Sequence, residues 1–178
     1  MVQAVELTLD APGDERVSGE WTALREAGLP SLADHAGATN RPHITLHVRD
    51  AMAPAAEDGL LPVVRRLPLR LSLGPLVLFP ARRRWVVARQ VVVDRALLEL
   101  HEEVAEAVGG GGSPLTLPGT WVPHVTLARG LRDEQVAEVL GVLTQAPAYA
   151  ALALRLRRWD QATREAWDVG QASTGRSL

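Results

Sequence analysis

The sequence predicts an α+β fold built as two similar lobes, and three observations carry that expectation. Strand-like and helix-like segments alternate twice along the chain. A tetrapeptide of one pattern occurs once in each half, at His43-Ile-Thr-Leu46 and His124-Val-Thr-Leu127, with the histidines 81 residues apart in a chain of 178. The composition, 47% hydrophobic and 22% charged, suits a packed globular core. We therefore expect a single bilobal domain over residues 1–170 and a flexible tail over residues 171–178. Periodicity supplies the elements and leaves the strand order open.

In the first half, residues 2–9 alternate in part and read as a strand. Val17, Trp21, Leu24 and Ala27 recur at helical spacing over 13–28, and Gly28-Leu-Pro30 ends that helix. Residues 42–48 form the next strand and 53–66 a helix whose limits are blurred by Pro54 and Pro62. Residues 67–79 are strand-like, interrupted at Gly74-Pro75; a turn over 80–84 leads into the β-branched strand 85–93. In the second half, Asp94 caps a helix over 94–108 whose apolar stripe is Leu97, Leu100, Val104 and Val108. A glycine-rich loop follows, then a strand over 123–128, a helix over 132–145, a strand over 152–159 and a short strand at 166–169.

The bulk properties narrow the function. Cysteine is absent, which excludes disulfides, thiolate catalysis and thiolate metal sites. The N-terminal stretch lacks the basic, apolar and small-residue succession of a secretion signal, and no long apolar run is present, so a cytoplasmic protein without a membrane partner is expected. A net charge of −2 does not suit a protein that grips long duplex nucleic acid by neutralising phosphates. Any nucleic-acid partner is expected to be short or a chain end. All 19 basic residues are arginine, a bias that reads as genome composition before it reads as phosphate binding.

The paired tetrapeptides carry the chemistry. Side chains two apart on a strand share a face, so His and Thr look one way while the aliphatic residue and Leu look into the core. Two imidazoles, one from each half, supply a base and an acid for attack on phosphorus, and the threonine hydroxyls beside them donate to non-bridging phosphate oxygens. The scheme calls for no metal and no cofactor. A single His-x-Thr strand is ordinarily structural; two copies in matching contexts, each after a proline (Pro42, Pro123), are a different matter.

On these motifs, Pro42-His-Ile-Thr-Leu46 and Pro123-His-Val-Thr-Leu-Ala-Arg129, the sequence resembles the two-histidine phosphoesterase superfamily of 2′–5′ RNA ligase-like proteins and cyclic phosphodiesterases. The resemblance spans roughly residues 2–169. It implies antiparallel sheets lining a central cleft with helices outside, His43 and His124 as the acid–base pair, and Thr45, Thr126 and Arg129 as phosphate ligands. It also implies a hydrolase of 2′,3′-cyclic phosphates or 2′–5′ linkages in small nucleotides or RNA ends; a monomer is expected, though the sequence leaves the oligomeric state open. The first motif continues as His47-Val-Arg49, where the better-known RNA ligase branch has Phe-Leu-Gly, so the branch stays open. A non-catalytic module that binds nucleotides or RNA ends in the same cleft is the alternative.

Further residues enter as candidates. Alternation puts His47 on the cavity face with His43, either tuning it, lining the groove or sitting at the solvent rim. Simple alternation turns Arg129 away from His124, unless the strand ends or bulges near Ala128 or Arg129 reaches round its edge. Trp121 either stacks on a base or packs in the core. Arg82 and Arg84, in the turn with Arg83, either meet phosphate or are solvated, as are Arg155, Arg157 and Arg158 on a late strand. His35 and His101 have no matching context and receive no role.

Overall fold

Four helices and seven strands follow one another in the order the sequence suggests, in a computed structural model that describes residues 2–143 and 147–170. The expected tail, residues 171–178, lies outside the described residues. Strand β1 (Gln3–Leu9) leads into α1 (Ala11–Glu26), which begins where the Asp10 carboxylate accepts from the Gly13 amide at 3.2 Å and buries Val17, Trp21 and Leu24. After a short 3₁₀ turn come β2 (His43–Arg49) and α2 (Ala56–Val64). The hairpin of β3 (Leu69–Ala81) and β4 (Arg84–Val91) turns at Arg82, whose φ is +57°.

Helix α3 (Arg95–Ala107) is capped by Asp94, which accepts from Leu97 N at 2.8 Å, and the predicted stripe of Leu97, Leu100 and Val104 is fully buried. Then follow β5 (His124–Leu131), α4 (Asp133–Leu143), β6 (Tyr149–Asp160) and β7 (Glu165–Asp168). Gly74-Pro75 does not end β3. The pairing with β4 shifts there, from Leu73 opposite Val91 to Leu76 opposite Arg89, and pairing with β6 stops at Leu73. Proline, which has no amide to donate, sits where one side of the strand has lost its neighbour.

All neighbouring strands are antiparallel, in the order β2-β1-β6-β3-β4-β5, with β7 also on β6. The long β6 joins two halves: Tyr149–Ala153 pairs with β3, and residues 153–160 pair with β1. On either side the pattern repeats, a motif strand at the edge (β2 or β5) paired to an inner strand (β1 or β4). Although β2 and β5 stand at opposite ends of the hydrogen-bonded order, they come into contact, so the sheet curves round and brings the two histidine motifs together.

Candidate active site

Each motif strand carries a β-bulge at the same place. In β2, Thr45 lies opposite Glu6 and His47 opposite Val5, so Leu46 is the extra residue. In β5, Thr126 lies opposite Ala88 and Ala128 opposite Val87, so Leu127 is the extra residue. A bulge adds one residue to one strand and reverses the alternation beyond it. His and Thr come before the bulge and share a face, as expected from pleat parity. Everything after it is inverted.

That inversion decides two of the candidates. Arg129, five residues beyond His124, regains the histidine face and lines a cavity of about 290 Å³ together with His43 and Thr45. A second shift at Gly130 (φ +75°) lets β5 run on to Leu131. His47 goes the other way. It is 0% exposed and its Nε2 lies 2.7 Å from the Gly111 carbonyl, on the α3 side of the sheet. The expectation that His47 stands on the cavity face or at the solvent rim is thus corrected, the bulge at Leu46 being the cause.

The two imidazoles are held alike. His43 Nδ1 lies 2.8 Å from the Arg41 carbonyl, and His124 Nδ1 lies 2.7 Å from the Val122 carbonyl, two residues back in both cases. A carbonyl only accepts, so each Nδ1 carries the hydrogen and each Nε2 is the unprotonated nitrogen of the neutral ring. The surroundings differ. Burial pushes the pKa of His124 below its ordinary value, and the positive charges of Arg129 and His43 push the same way against the Val122 carbonyl. The Phe79 ring lies against His124, centroids 4.6 Å apart. The Nε2 of His43 instead faces a carboxylate, Glu6 Oε1, at 3.5 Å.

Glu6 is a site residue that sequence reasoning missed, and Arg157, weighed only as one of three arginines on a late strand, is its partner. The two stand side by side on β1 and β6, and Arg157 Nε donates to Glu6 Oε2 at 2.7 Å with both side chains 6% exposed. Arg157 Nη1 also donates to the Thr39 carbonyl at 3.2 Å, tying the loop before β2 to the sheet. The signal for Glu6 was a charged residue amid the apolar run of β1, which gains meaning only when β1 is known to pair with β2.

Two tryptophans brace the motifs from opposite halves of the sequence. Trp21 of α1 donates to the Thr126 carbonyl at 3.0 Å, and Trp121 donates to the Thr45 carbonyl at 2.9 Å. These carbonyls adjoin the bulges, where the regular ladder is interrupted, and the indoles satisfy them. Trp121 also stacks on His101, centroids 4.0 Å apart and planes 1° from parallel. Of its two expected fates, packing is the one the geometry takes. Arg82 and Arg84 are exposed in the β3–β4 hairpin and do not line the cavity. Arg155 pairs with Asp168 at 2.6 Å, and Arg158 turns to Glu57 and the Trp167 ring on the other face. Among the described residues, no group of three or more His, Asp or Glu is placed to hold a metal ion, and no helix is long and apolar enough to cross a membrane.

Residues 13–165 match the 2′–5′ RNA ligase superfamily. The chain belongs to it. It is thereby a two-histidine phosphoesterase-type protein, with the mixed helix and antiparallel-sheet fold of that superfamily. Solved structures agree in fold. Escherichia coli LigT complexed with 3′-AMP superposes with a TM-score of 0.55 at 18% identity, over 95% of this chain and 98% of that one. A phosphoesterase superposes with 0.54 at 19% identity, over 96% and 99%. Kluyveromyces marxianus Usb1 superposes with 0.53 at 12% identity, over 94% and 97%. A comparison with curated proteins gives no significant match.

Proposed function

We propose that this superfamily member is a metal-independent phosphoesterase that opens 2′,3′-cyclic phosphates or cleaves 2′–5′ phosphodiesters in small nucleotides or RNA ends. One observation carries the reading: two His-x-Thr pairs, displayed by equivalent bulged strands, with both Nδ1 atoms committed to carbonyls and both Nε2 atoms left for chemistry. With its lowered pKa, His124 is neutral at physiological pH and suits the base that takes a proton from water. As the water oxygen bonds to phosphorus, the ring P–O bond breaks, and His43 delivers a proton to the departing ribose oxygen. Thr45, Thr126 and Arg129 face the non-bridging oxygens, where negative charge builds. The net charge of −2 favours a short substrate over a long duplex.

The test is turnover of 2′,3′-cyclic nucleotides and 2′–5′ dinucleotides, with the phosphate position read by NMR. His43→Ala and His124→Ala each abolish turnover, while Thr45→Ala and Thr126→Ala weaken it by less. Activity persists in EDTA, and kcat/KM is bell-shaped in pH. Near-normal turnover in either histidine variant removes the mechanism. Binding without any product after long incubation makes the protein a nucleotide-binding module instead.

A further inference from the structure

The cavity beside His43 does not end at the phosphate-facing residues. Across the sheet, the register sets Thr45, Glu6 and Arg157 in one row, and Val48, Ala4 and Trp159 in the next. Strands lie about 4.8 Å apart and rows on one face about 6–7 Å apart. Trp159 therefore stands two strands from β2 and one row along, at the far end of the same cavity, which it lines together with Ala4, Val48 and Leu32. One end of the cavity is charged and the other is apolar with an aromatic wall.

Trp159 differs from the other tryptophans. Trp21, Trp85, Trp121 and Trp167 donate their indole N–H to Thr126, Asp133, Thr45 and Glu57 respectively. Trp21, Trp85 and Trp121 also belong to or pack against the hydrophobic core, whereas Trp159 is half-buried and, among the described residues, is not part of that core. Its neighbour in the row on β1 is alanine, a small side chain beside a large ring. The loop over 35–40 forms the facing wall through His35 and Asn40, and the Arg157 bond to Thr39 holds that loop over the sheet.

Resting on the phosphoesterase reading, we infer that Trp159 is the stacking platform for a nucleobase, with the small Ala4 beside it on β1. The substrate is then a nucleotide whose base-bearing ribose reaches from the phosphate at His43 across β1 to β6. Every base offers a π-face, so the platform favours nucleotides over baseless phosphodiesters without choosing among bases.

The experiment compares equilibrium binding of adenosine 2′-monophosphate, uridine 2′-monophosphate and the baseless glycerol 2-phosphate by titration calorimetry. The wild-type protein binds both nucleotides more tightly than glycerol 2-phosphate, and Trp159→Leu cuts that ratio about 5- to 150-fold. Trp159→Phe, which keeps a ring, retains most of it. Ala4→Val, which leaves the indole in place and fills the space beside it, lowers the ratio independently of how well the Leu variant folds. A wild-type ratio near one, or a ratio unmoved by both Trp159→Leu and Ala4→Val, overturns the inference. Turnover with cyclic substrates separates the two ideas: turnover with a ratio near one sinks the platform alone, and a high, Trp159-dependent ratio without turnover sinks the catalysis alone.

Discussion

Replacing Glu6 with glutamine tests the site and the fold at once. Glu6 and Arg157 meet at 2.7 Å with 6% of each side chain exposed, so solvent screens their charges little. Unit charges about 4 Å apart attract by roughly 4 kcal/mol at the effective dielectric typical of protein sites. Removing one member of a buried pair costs about 3–5 kcal/mol, because the other charge is left uncompensated. Glutamine keeps the shape and one oxygen acceptor for Arg157 Nε, so the expected loss is at the lower end, about 3 kcal/mol. For a chain of this size that lowers Tm by roughly 6–12 °C. Urea and thermal unfolding of Glu6→Gln, Arg157→Met and the double variant form the assay. The double variant should lose far less than the two single losses together, since no lone buried charge remains. Glu20 and Arg89 provide the control, an equally buried pair at 2.7 Å between α1 and β4. Glu20→Gln should destabilise similarly and leave turnover intact, whereas Glu6→Gln also lowers turnover through the loss of its carboxylate beside His43. A Glu6→Gln protein within 1 kcal/mol of wild type, or strict additivity in the cycle, refutes the reasoning.

Three further outcomes follow from the structure. Burial lowers the pKa values of His47, His101 and His124, so the unfolded chain takes up protons first as pH falls; their contribution is whole above about pH 6.5 and is lost as pH drops from there through the folded values, which urea midpoints at pH 7.5 and 5.5 will register as a decrease. Trp21→Phe and Trp121→Phe each leave a threonine carbonyl without its indole, costing about 1–3 kcal/mol in unfolding experiments and lowering kcat more than it raises KM. Gly112→Ala puts a Cβ 2.5 Å from the Val48 carbonyl and 2.9 Å from His47 Nε2, and lowers the urea midpoint well beyond Gly110→Ala, where a Cβ meets nothing within 4 Å.

The sequence displayed what depends on local pattern. The cap at Asp94, the buried stripe of α3 and the motif strands all follow from a few neighbouring residues. The His-Thr faces were legible because two residues suffice to define a side of a strand. His47 and Arg129 were not, since one inserted residue at Leu46 or Leu127 exchanges the faces beyond it, and a bulge is defined by the partner strand. Glu6 and Arg157 sit 151 positions apart, and only the pairing of β1 with β6 makes them neighbours. Trp159 was hidden for the same reason. Its indole resembles any other in the sequence until the register sets it in a row with Ala4 and Val48.

The repeated bulge also explains how one scaffold yields two different histidines. Up to the threonine the halves are alike: each His Nδ1 bonds the carbonyl two residues back, and each Thr carbonyl accepts from an indole. They diverge at two equivalent positions. Opposite the threonine stands Glu6 in the first half and Ala88 in the second; five residues after the histidine stands Val48 in the first and Arg129 in the second. A negative charge thus lies beside His43 and a positive one beside His124, which is also the one packed against Phe79 and shifted by burial. Burial is the larger cause of the difference, the exchanged side chains at these two positions add opposite charges to it, and the bulge is what brings Arg129 onto the face where its charge is felt.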